Sequence, residues 1–182
     1  QLDPGNLAWN IPLFVKISGE LDISALSNSI KQITKRHESL RTTFNSVNGL
    51  PIQVINPELE LELEVVDITS DSGDESAVQG VVNTFCRDEV KKAFDLENGP
   101  LLRVKLLRLS EKDHVLILVM HHIIADGWSL SIFVNEVAAL YQVFIRMSKT
   151  KVQDEIIEPE VSILDQTSDL ILPDLAIQYT DF

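Results

Sequence analysis

Hydrophobic positions along the chain follow two different periods, which together predict a succession of strands and helices. Apolar residues at every second position indicate a half-buried strand, whereas apolar residues at every third or fourth position indicate an amphipathic helix. Gly, Pro and Asn-Gly pairs separate these segments. The predicted strands cover residues 11–18, 41–45, 52–55, 58–65, 101–109 and 114–120, and the predicted helices cover residues 23 to about 36–39, 75–94 and 130–144.

Two segments have patterns that bear on the fold and on the chemistry. Residues 58–65 alternate glutamate with leucine or valine, so we interpret the glutamates as the wet face of a strand and not as paired catalytic carboxylates. Residues 115–120 (VLILVM) are apolar throughout, as expected of a central strand covered on both faces. The order of elements predicts an α/β fold, more narrowly an α+β two-layer sandwich with a mixed β-sheet and helices on one face.

Composition and charge argue against several classes of protein. The 182 residues include 15 Lys and Arg against 28 Asp and Glu, which gives a net charge of −13. This acidity disfavours a nucleic-acid partner, because binding phosphates requires clustered cations. The longest apolar run is too short to span a bilayer and the first residues show no signal peptide, so we expect no membrane partner and a cytoplasmic location. The single Cys86 lies on a predicted apolar helix face, which favours a packed thiol over a nucleophile.

The candidate chemistry lies directly after the apolar strand, where residues 120–129 read MHHIIADGWS. A strand end can hold an imidazole rigidly while the following loop stays accessible. Because strand side chains alternate, His121 and His122 should point to opposite sides, so that only one faces a given cavity. Asp126 is close enough in sequence for a loop to return it toward His122. Gly127 permits a backbone angle or a close substrate approach that a β-carbon would block.

Several interpretations of this segment remain open from the residues alone. Both histidines could be ordinary polar residues at a strand end, or a single imidazole could act as a general base or a polar stabiliser. A metal site is disfavoured, because only His121, His122 and Asp126 cluster here and adjacent strand histidines diverge. A nucleophilic triad is disfavoured as well, since no Ser lies on a strained, Gly-flanked turn. We therefore predict neither a metal nor a directly bound cofactor.

Residues 121–129 (HHIIADGWS) resemble the signature of the condensation domains of nonribosomal peptide synthetases. The shorter His-x-x-x-Asp-Gly form is shared by the wider superfamily of chloramphenicol acetyltransferase-like acyltransferases. Further segments are similar to other blocks of the condensation domains and occur in the same order. They are residues 3–12 at the entry to the first strand, 36–44 (RHESLRTTF), 93–103 (AFDLENGPLLR) and 178–182 (QYTDF).

The resemblance implies a chloramphenicol acetyltransferase-like subdomain and an amide-forming acyl transfer. The substrates would be two thioesters on the phosphopantetheine arms of a donor and an acceptor peptidyl carrier protein. The α-amine of the acceptor would attack the thioester carbonyl of the donor. His122 would be the active-site histidine, either taking the proton of the attacking amine or orienting that amine.

The resemblance also assigns supporting roles around His122. The supporting residues are His121, Asp126, Gly127, Arg36 and Arg41. Asp126 is expected to pair with Arg36 or Arg41, and the plainer alternative for Arg36 is a cation at a helix C-terminus. Gly127 would border the substrate tunnel, and Ser129 would cap the helix that follows.

The resemblance covers the N-terminal half of a condensation domain. We therefore expect residues 1–182 to be an N-terminal subdomain that lacks its C-terminal subdomain and is inactive as an isolated fragment. Residues 148–176 would form an acidic connector loop, and an adenylation domain would lie next to the complete domain. The absence of an initial Met agrees with a piece cut from a longer protein.

Two other functions remain open beside peptide-bond formation. The shorter motif is also compatible with a coenzyme A-dependent acyltransferase, and a non-catalytic docking or scaffold domain for carrier proteins could keep the motif for folding. Within the superfamily, Gly127-Trp128 disfavours an epimerase. The pair His121-His122 excludes the heterocyclising pattern, which has aspartates at both positions.

Overall fold

The structure is a computed structural model that describes residues 7–59, 61–69 and 75–151. In these residues, four strands form a mixed sheet, two further strands form a hairpin, and three helices pack around the sheet. Short 3₁₀ turns at Leu7–Trp9 and Glu38–Arg41 precede the first two strands. The elements are β1 (Asn10–Ser18), α1 (Ile23–Arg36), β2 (Thr42–Val47), β3 (Leu50–Ile55), β4 (Glu64–Asp67), α2 (Glu75–Val90), β5 (Leu102–Arg108), β6 (Asp113–His121) and α3 (Gly127–Lys151).

Two local features in the first third of the chain follow from their residue types. Asp22 caps α1, because its Oδ1 accepts a hydrogen bond from the N–H of Ala25 at 2.9 Å. The hairpin of β2 and β3 turns at Asn48 and Gly49, whose φ values are 52° and 79°. Positive φ at both central residues is the geometry for which Asn-Gly is selected in two-residue hairpin turns.

Strand β6 lies inside the sheet, whose order is β1-β6-β5-β4. It runs antiparallel to both β1 and β5, while β4 runs parallel to β5. Every residue of β6 after Asp113 is buried, as its uninterrupted apolar sequence predicts. This strand therefore holds its last residue, His121, at the end of the most buried part of the sheet.

The helices cover both faces of the sheet. Helices α1 and α3 pack together on one face, where Phe133 of α3 lines the same apolar groove as Leu118 of β6. Helix α2 lies on the opposite face, since its Glu89 binds Lys105 of β5, the register partner of Ile117. The predicted α+β fold class with a mixed sheet is confirmed, but the expectation of helices on one face holds for α1 and α3 and not for α2. A central strand that is apolar on both faces needs cover from both sides.

Strand β4 is shorter than the strand predicted at 58–65. Only Glu64–Asp67 pair with β5, while Leu61 is buried and Glu62 exposed outside the ladder. The N–H of Leu61 instead donates to the carbonyl of Leu59 at 3.0 Å. The alternation of leucine and glutamate therefore matches burial at Leu61, but Val65 on the same predicted face is exposed, and the pattern does not set the length of the strand.

Helix α2 ends at Val90, whereas the periodicity predicts a helix that continues to Phe94. Two side chains from the sheet take up the carbonyls at this end. The amide of Asn10 donates to Val90 at 2.7 Å and to Lys92 at 3.0 Å, and the guanidinium of Arg103 donates to Lys92 at 2.9 Å. Phe94 is nevertheless buried, so its apolar position reflects packing beyond the helix and not one more helical turn.

Helix α3 is longer at both ends than its apolar pattern predicts. It begins at Gly127 and continues to Lys151. Residues 148–151, predicted to belong to the acidic connector loop, are therefore helical. The sequence did not indicate this, because the polar end of a helix has no apolar periodicity. The rest of that connector, residues 152–176, and the block at 178–182 lie outside the described residues.

By length and composition, α3 could also cross a membrane, since Gly127–Lys149 has a mean hydropathy of 1.3. One helix of this kind is a weak argument for a membrane span, because the core helix of a soluble protein passes the same test. Some of its apolar side chains pack in the core with α1 and the sheet, whereas Trp128, Ile132 and Val134 are exposed. The buried ones are Phe133, Val137, Leu140 and Phe144.

Candidate active site

Backbone hydrogen bonds fix both histidines of the loop between β6 and α3. The N–H of His121, the last residue of β6, donates to the carbonyl of Leu101 at 3.0 Å. The N–H of His122 donates to the carbonyl of Trp9, directly before β1, at 2.7 Å. The loop therefore begins from a point that is held on both sides by neighbouring segments of the chain.

The side chain of His121 is buried and closes the turn that follows it. Its Nδ1 accepts a hydrogen bond from the N–H of Ile123 at 3.1 Å, so a neutral ring carries its proton on Nε2. The ring also packs edge-to-face against Phe94, with centroids 5.9 Å apart. Burial, and secondarily the neighbouring His122, lower the pKa of His121. These contacts suit a structural support better than a group that exchanges protons.

The side chain of His122, in contrast, is exposed to solvent. Its ring meets the indole of Trp9 edge-to-face, with centroids 6.0 Å apart and an angle of 82° between the ring planes. One imidazole of the pair is thus buried and the other accessible, as strand alternation predicts. Of the two, only His122 presents a ring that a substrate could reach.

Asp126 caps the N-terminus of α3. Its Oδ1 accepts hydrogen bonds from the backbone N–H of Ser129 at 2.8 Å and from the Ser129 hydroxyl at 2.7 Å. These two bonds lower the pKa of Asp126. The expectation that Ser129 caps this helix is therefore wrong, because Asp126 holds the cap position and Ser129 is its partner three residues later.

The expected pairing of Asp126 with Arg36 or Arg41 is also wrong for the described residues. Arg36 ends α1 and places its Nε 3.5 Å from the carboxylate of Glu136 on α3. Arg41 donates to the carbonyl of Asn56 at 2.7 Å, beside the hairpin. The carboxylate of Asp126 is occupied by the first turn of its own helix, and each arginine finds a partner on the element against which it packs.

Gly127 is the first residue of α3 and lies outside the left-handed region of φ. The interpretation that it supplies an unusual backbone angle is therefore wrong. A β-carbon built on Gly127 would meet no atom within 4 Å among the described residues. Because the space beside Gly127 is open, the close approach of a substrate to this residue stays a prediction.

Metal ligation and the thiol of Cys86 were the other chemistries considered for this chain. Within residues 7–59, 61–69 and 75–151, no three His, Cys, Asp or Glu side chains come together as metal ligands. Cys86 is a partly buried thiol on α2, and burial raises its pKa. A raised pKa keeps the thiol protonated, which agrees with a packing role.

Comparison with known proteins decides the family. A family model, the condensation domain, matches residues 1–155. The chain belongs to the condensation-domain family. This confirms the resemblance carried by the histidine signature and by the blocks that precede it.

Several peptide synthetases contain segments similar to this condensation domain. Chondramide synthase cmdD of Chondromyces crocatus is 46% identical over 144 residues, which are 79% of this chain and 4% of that protein. Tyrocidine synthase 3 of Brevibacillus parabrevis is 40% identical over 141 residues, 78% of this chain and 2% of that protein. Bacitracin synthase 3 of Bacillus licheniformis is 36% identical over 182 residues, 100% of this chain and 2% of that protein. The chain thus spans a small part of the length of these relatives.

Solved structures share the fold. The first condensation domain of the CDA synthetase matches with a TM-score of 0.70 at 20% identity, over 79% of this chain and 36% of that one. An X-domain, solved in a complex with OxyB from teicoplanin biosynthesis, matches with a TM-score of 0.65 at 29% identity, over 73% of this chain and 27% of that one. The first of these likenesses shows the fold alone.

The structure also places residues near the site that sequence reasoning missed. Trp9 and Phe94 contact the two histidines, and the guanidinium carbon of Arg103 lies 3.7 Å from the centroid of the Phe94 ring. These three lie within blocks shared with condensation domains, but a match of blocks does not show which residues touch. The sequence did not indicate the role of Glu136, because a polar residue on an amphipathic helix is expected to face solvent.

Proposed function

We propose that this chain supplies the active-site histidine of a condensation domain that forms amide bonds in nonribosomal peptide synthesis. Both substrates would be thioesters on phosphopantetheine arms, one on a donor and one on an acceptor peptidyl carrier protein. The observation that carries the proposal is the exposed ring of His122. It directly follows the end of a buried strand, in a chain of the condensation-domain family. The next helix begins at Gly127, which has open space beside it.

In the proposed reaction, the acceptor's α-amine attacks the carbonyl carbon of the donor thioester. The new C–N bond forms, the C–S bond breaks, and the donor arm leaves as a thiol. A free α-amine has a pKa near about 7.7–8, so it must be neutral to attack, and its nitrogen must lose a proton once the bond forms. His122 accepts that proton or, in a weaker role, only orients the amine by a hydrogen bond.

We further propose that the chain is one part of the complete enzyme. It covers 36% of the condensation-domain chain from the CDA synthetase, as expected of one part of such a domain. The blocks that it resembles belong to the N-terminal half, so residues 1–182 would be an N-terminal subdomain beside a C-terminal subdomain. The proposed partners are the donor and acceptor carrier proteins, that second half and an adjacent adenylation domain, in the cytoplasm. The isolated 182-residue chain would then form no amide, whereas the parent protein would.

A single-turnover assay with the parent protein and two loaded carrier proteins tests the role of His122. His122→Ala should slow amide formation by about 10²–10⁴-fold, the range for a lost proton-transfer group. His122→Asn keeps a hydrogen-bond acceptor, so it should recover activity only if orientation suffices. His121→Asn is the matched control, because an amide oxygen can replace the acceptor that closes the turn. Full activity of His122→Ala would refute the assignment.

One comparison favours a second candidate, a docking or scaffold domain for carrier proteins. The X-domain that matches at 29% identity was solved in a complex with another protein, OxyB. The same assay separates the candidates, because a docking domain would bind loaded carrier proteins and form no amide. A further reaction, in which an acyl-coenzyme A replaces the loaded donor carrier protein, tests the coenzyme A-dependent alternative: amide formation there would favour it.

A further inference from the structure

Trp9 occupies a special place at the edge of the sheet. It ends the 3₁₀ turn Leu7–Trp9, directly before β1, and the register of β1 with β6 reaches Asn10 and His121. The bond from the N–H of His122 to the carbonyl of Trp9 extends this ladder beyond that pair, at 2.7 Å. The backbone of Trp9 is therefore in register with the backbone of His122.

The indole ring of Trp9 contacts the imidazole of His122 as well. The centroids are 6.0 Å apart and the planes stand at 82°, which is the edge-to-face arrangement that aromatic pairs prefer. An exposed imidazole on a loop can rotate about two side-chain bonds, so a ring fixed beside it restricts its orientation. Trp9 is itself 43% exposed, which means that it contributes little to the core.

The backbone next to Trp9 is held by contacts that do not involve His122. The side chain of the next residue, Asn10, donates to the carbonyls of Val90 and Lys92 at the end of α2. Arg103 donates to the carbonyl of Lys92 too, at 2.9 Å. The start of β1 is thus held against the end of α2, which fixes the backbone next to Trp9.

We propose that Trp9 is a positioning residue for His122: the edge-to-face contact holds the imidazole in the orientation that meets the attacking amine. The inference rests on the proposed function of His122. Trp9 does not touch the reacting atoms in this role and acts only through the imidazole.

Kinetics of the parent protein, in single turnover with loaded carrier proteins, test the proposal. Trp9→Leu removes the ring and should lower the rate constant of amide formation by about 10- to 100-fold, since misplacing a reacting group by about 1 Å can cost this much. Trp9→Phe keeps an edge-to-face partner and should stay within about threefold of the parent, by the same reasoning. The apparent affinities for both carrier proteins should not change in either variant.

Phe14 provides a matched control on β1, the strand that directly follows Trp9, because Phe14 is 44% exposed, close to the 43% of Trp9. Phe14→Leu should leave the rate constant unchanged. Equal rates for Trp9→Leu and Trp9→Phe, or a loss confined to carrier-protein affinity, would overturn the inference. If His122→Ala is inactive and Trp9→Leu fully active, the inference fails while the proposed function stands. If His122→Ala is fully active, the proposed function fails first.

A spectroscopic test needs no substrate. The chain has two tryptophans, so Trp128→Phe leaves Trp9 as its single indole. The imidazole of His122 is part of the surroundings of that indole, so His122→Gln in the same background should change the intensity or the wavelength of the Trp9 emission at fixed pH. An emission spectrum that does not respond to His122→Gln would show that the two rings do not form the contact in solution.

Discussion

A buried and a half-buried carboxylate on opposite faces of the sheet make a useful comparison. Glu89 of α2 has a side chain only 6% exposed and meets three cations of the adjoining segment and sheet: Lys92 at 2.6 Å, Lys105 at 3.0 Å and Arg103 at 3.7 Å. Glu136 of α3 is 13% exposed, lies 3.5 Å from Arg36 and forms a hydrogen bond with His37. Each carboxylate thus attaches a different condensation-domain block to the elements around the histidine loop.

The two clusters differ in how firmly their charge is compensated. Burial raises the pKa of Glu89, but the hydrogen bonds and charges of Lys92 and Lys105 outweigh burial and hold this pKa below its ordinary value. Burial likewise opposes ionisation of Glu136, and His37 together with Arg36 lowers its pKa. The cluster around Glu89 contains three cationic side chains, those of Lys92, Lys105 and Arg103, whereas the cluster around Glu136 contains one arginine and one histidine. Glu89 is therefore the carboxylate whose charge is harder to replace.

Glu89→Gln should be the most damaging change, because it leaves Lys105 beside Arg103 with no buried counter-charge. Removing one partner of a buried pair costs about 3–5 kcal/mol, so the free energy of unfolding should fall by about 3 kcal/mol or more. Urea unfolding of the 182-residue chain measures this loss.

A matched control comes from the second carboxylate on the same lysine. Glu64 lies 2.9 Å from Lys105, but its side chain is 61% exposed. Glu64→Gln should cost at most about 1 kcal/mol, as surface pairs do. Similar losses in both variants would show that burial does not distinguish the two pairs.

Glu136→Gln should cost less than Glu89→Gln. The amide oxygen can still accept a hydrogen bond from His37, so the main loss is the charge opposite Arg36. Hydrogen bonds to charged groups contribute about 1.5–3 kcal/mol, and we expect a loss near about 2 kcal/mol in the same unfolding experiment.

A double-mutant cycle with Arg36→Gln isolates the charge interaction from the hydrogen bond to His37. The coupling free energy between Glu136 and Arg36 should be clearly stabilising, so the double variant should lose less stability than the sum of the two single variants. A coupling near zero would mean that the cluster depends on His37 alone, and the contrast with Glu89 would then rest on hydrogen bonding and not on charge.

The contrast also explains how far the sequence could predict the site. Periodicity predicted the buried strand β6 and the divergence of His121 from His122, because side-chain alternation is a local property. The partner of His37 is a different matter, since Glu136 lies 99 positions away in the sequence. No local period specifies which helix packs beside the end of α1, so the partner of Arg36 could not be assigned correctly.

The same reason accounts for the errors in element length. The end of α2 depends on Asn10, 80 positions earlier, whose amide takes the carbonyl of Val90. The strand β4 depends on where β5 offers a parallel partner. Burial of Leu61, in contrast, followed directly from the alternation of leucine and glutamate. In these segments, the sequence patterns predicted which side chains are buried better than where each helix or strand ends.

The smallest expected effect concerns Asp126, whose partner lies within one helical turn and not across the fold. Asn caps helices about as well as Asp, so Asp126→Asn should leave the free energy of unfolding nearly unchanged, whereas Asp126→Ala should lower it by about 1 kcal/mol. An ion pair with Arg36 or Arg41 would give a different pattern, since Asn lacks the charge and would then cost almost as much as Ala. Chemical unfolding of the two variants against the parent chain decides between a local cap and a long-range pair. Equal destabilisation by Asn and Ala would place Asp126 with Glu89 and Glu136 among the carboxylates that join separate elements.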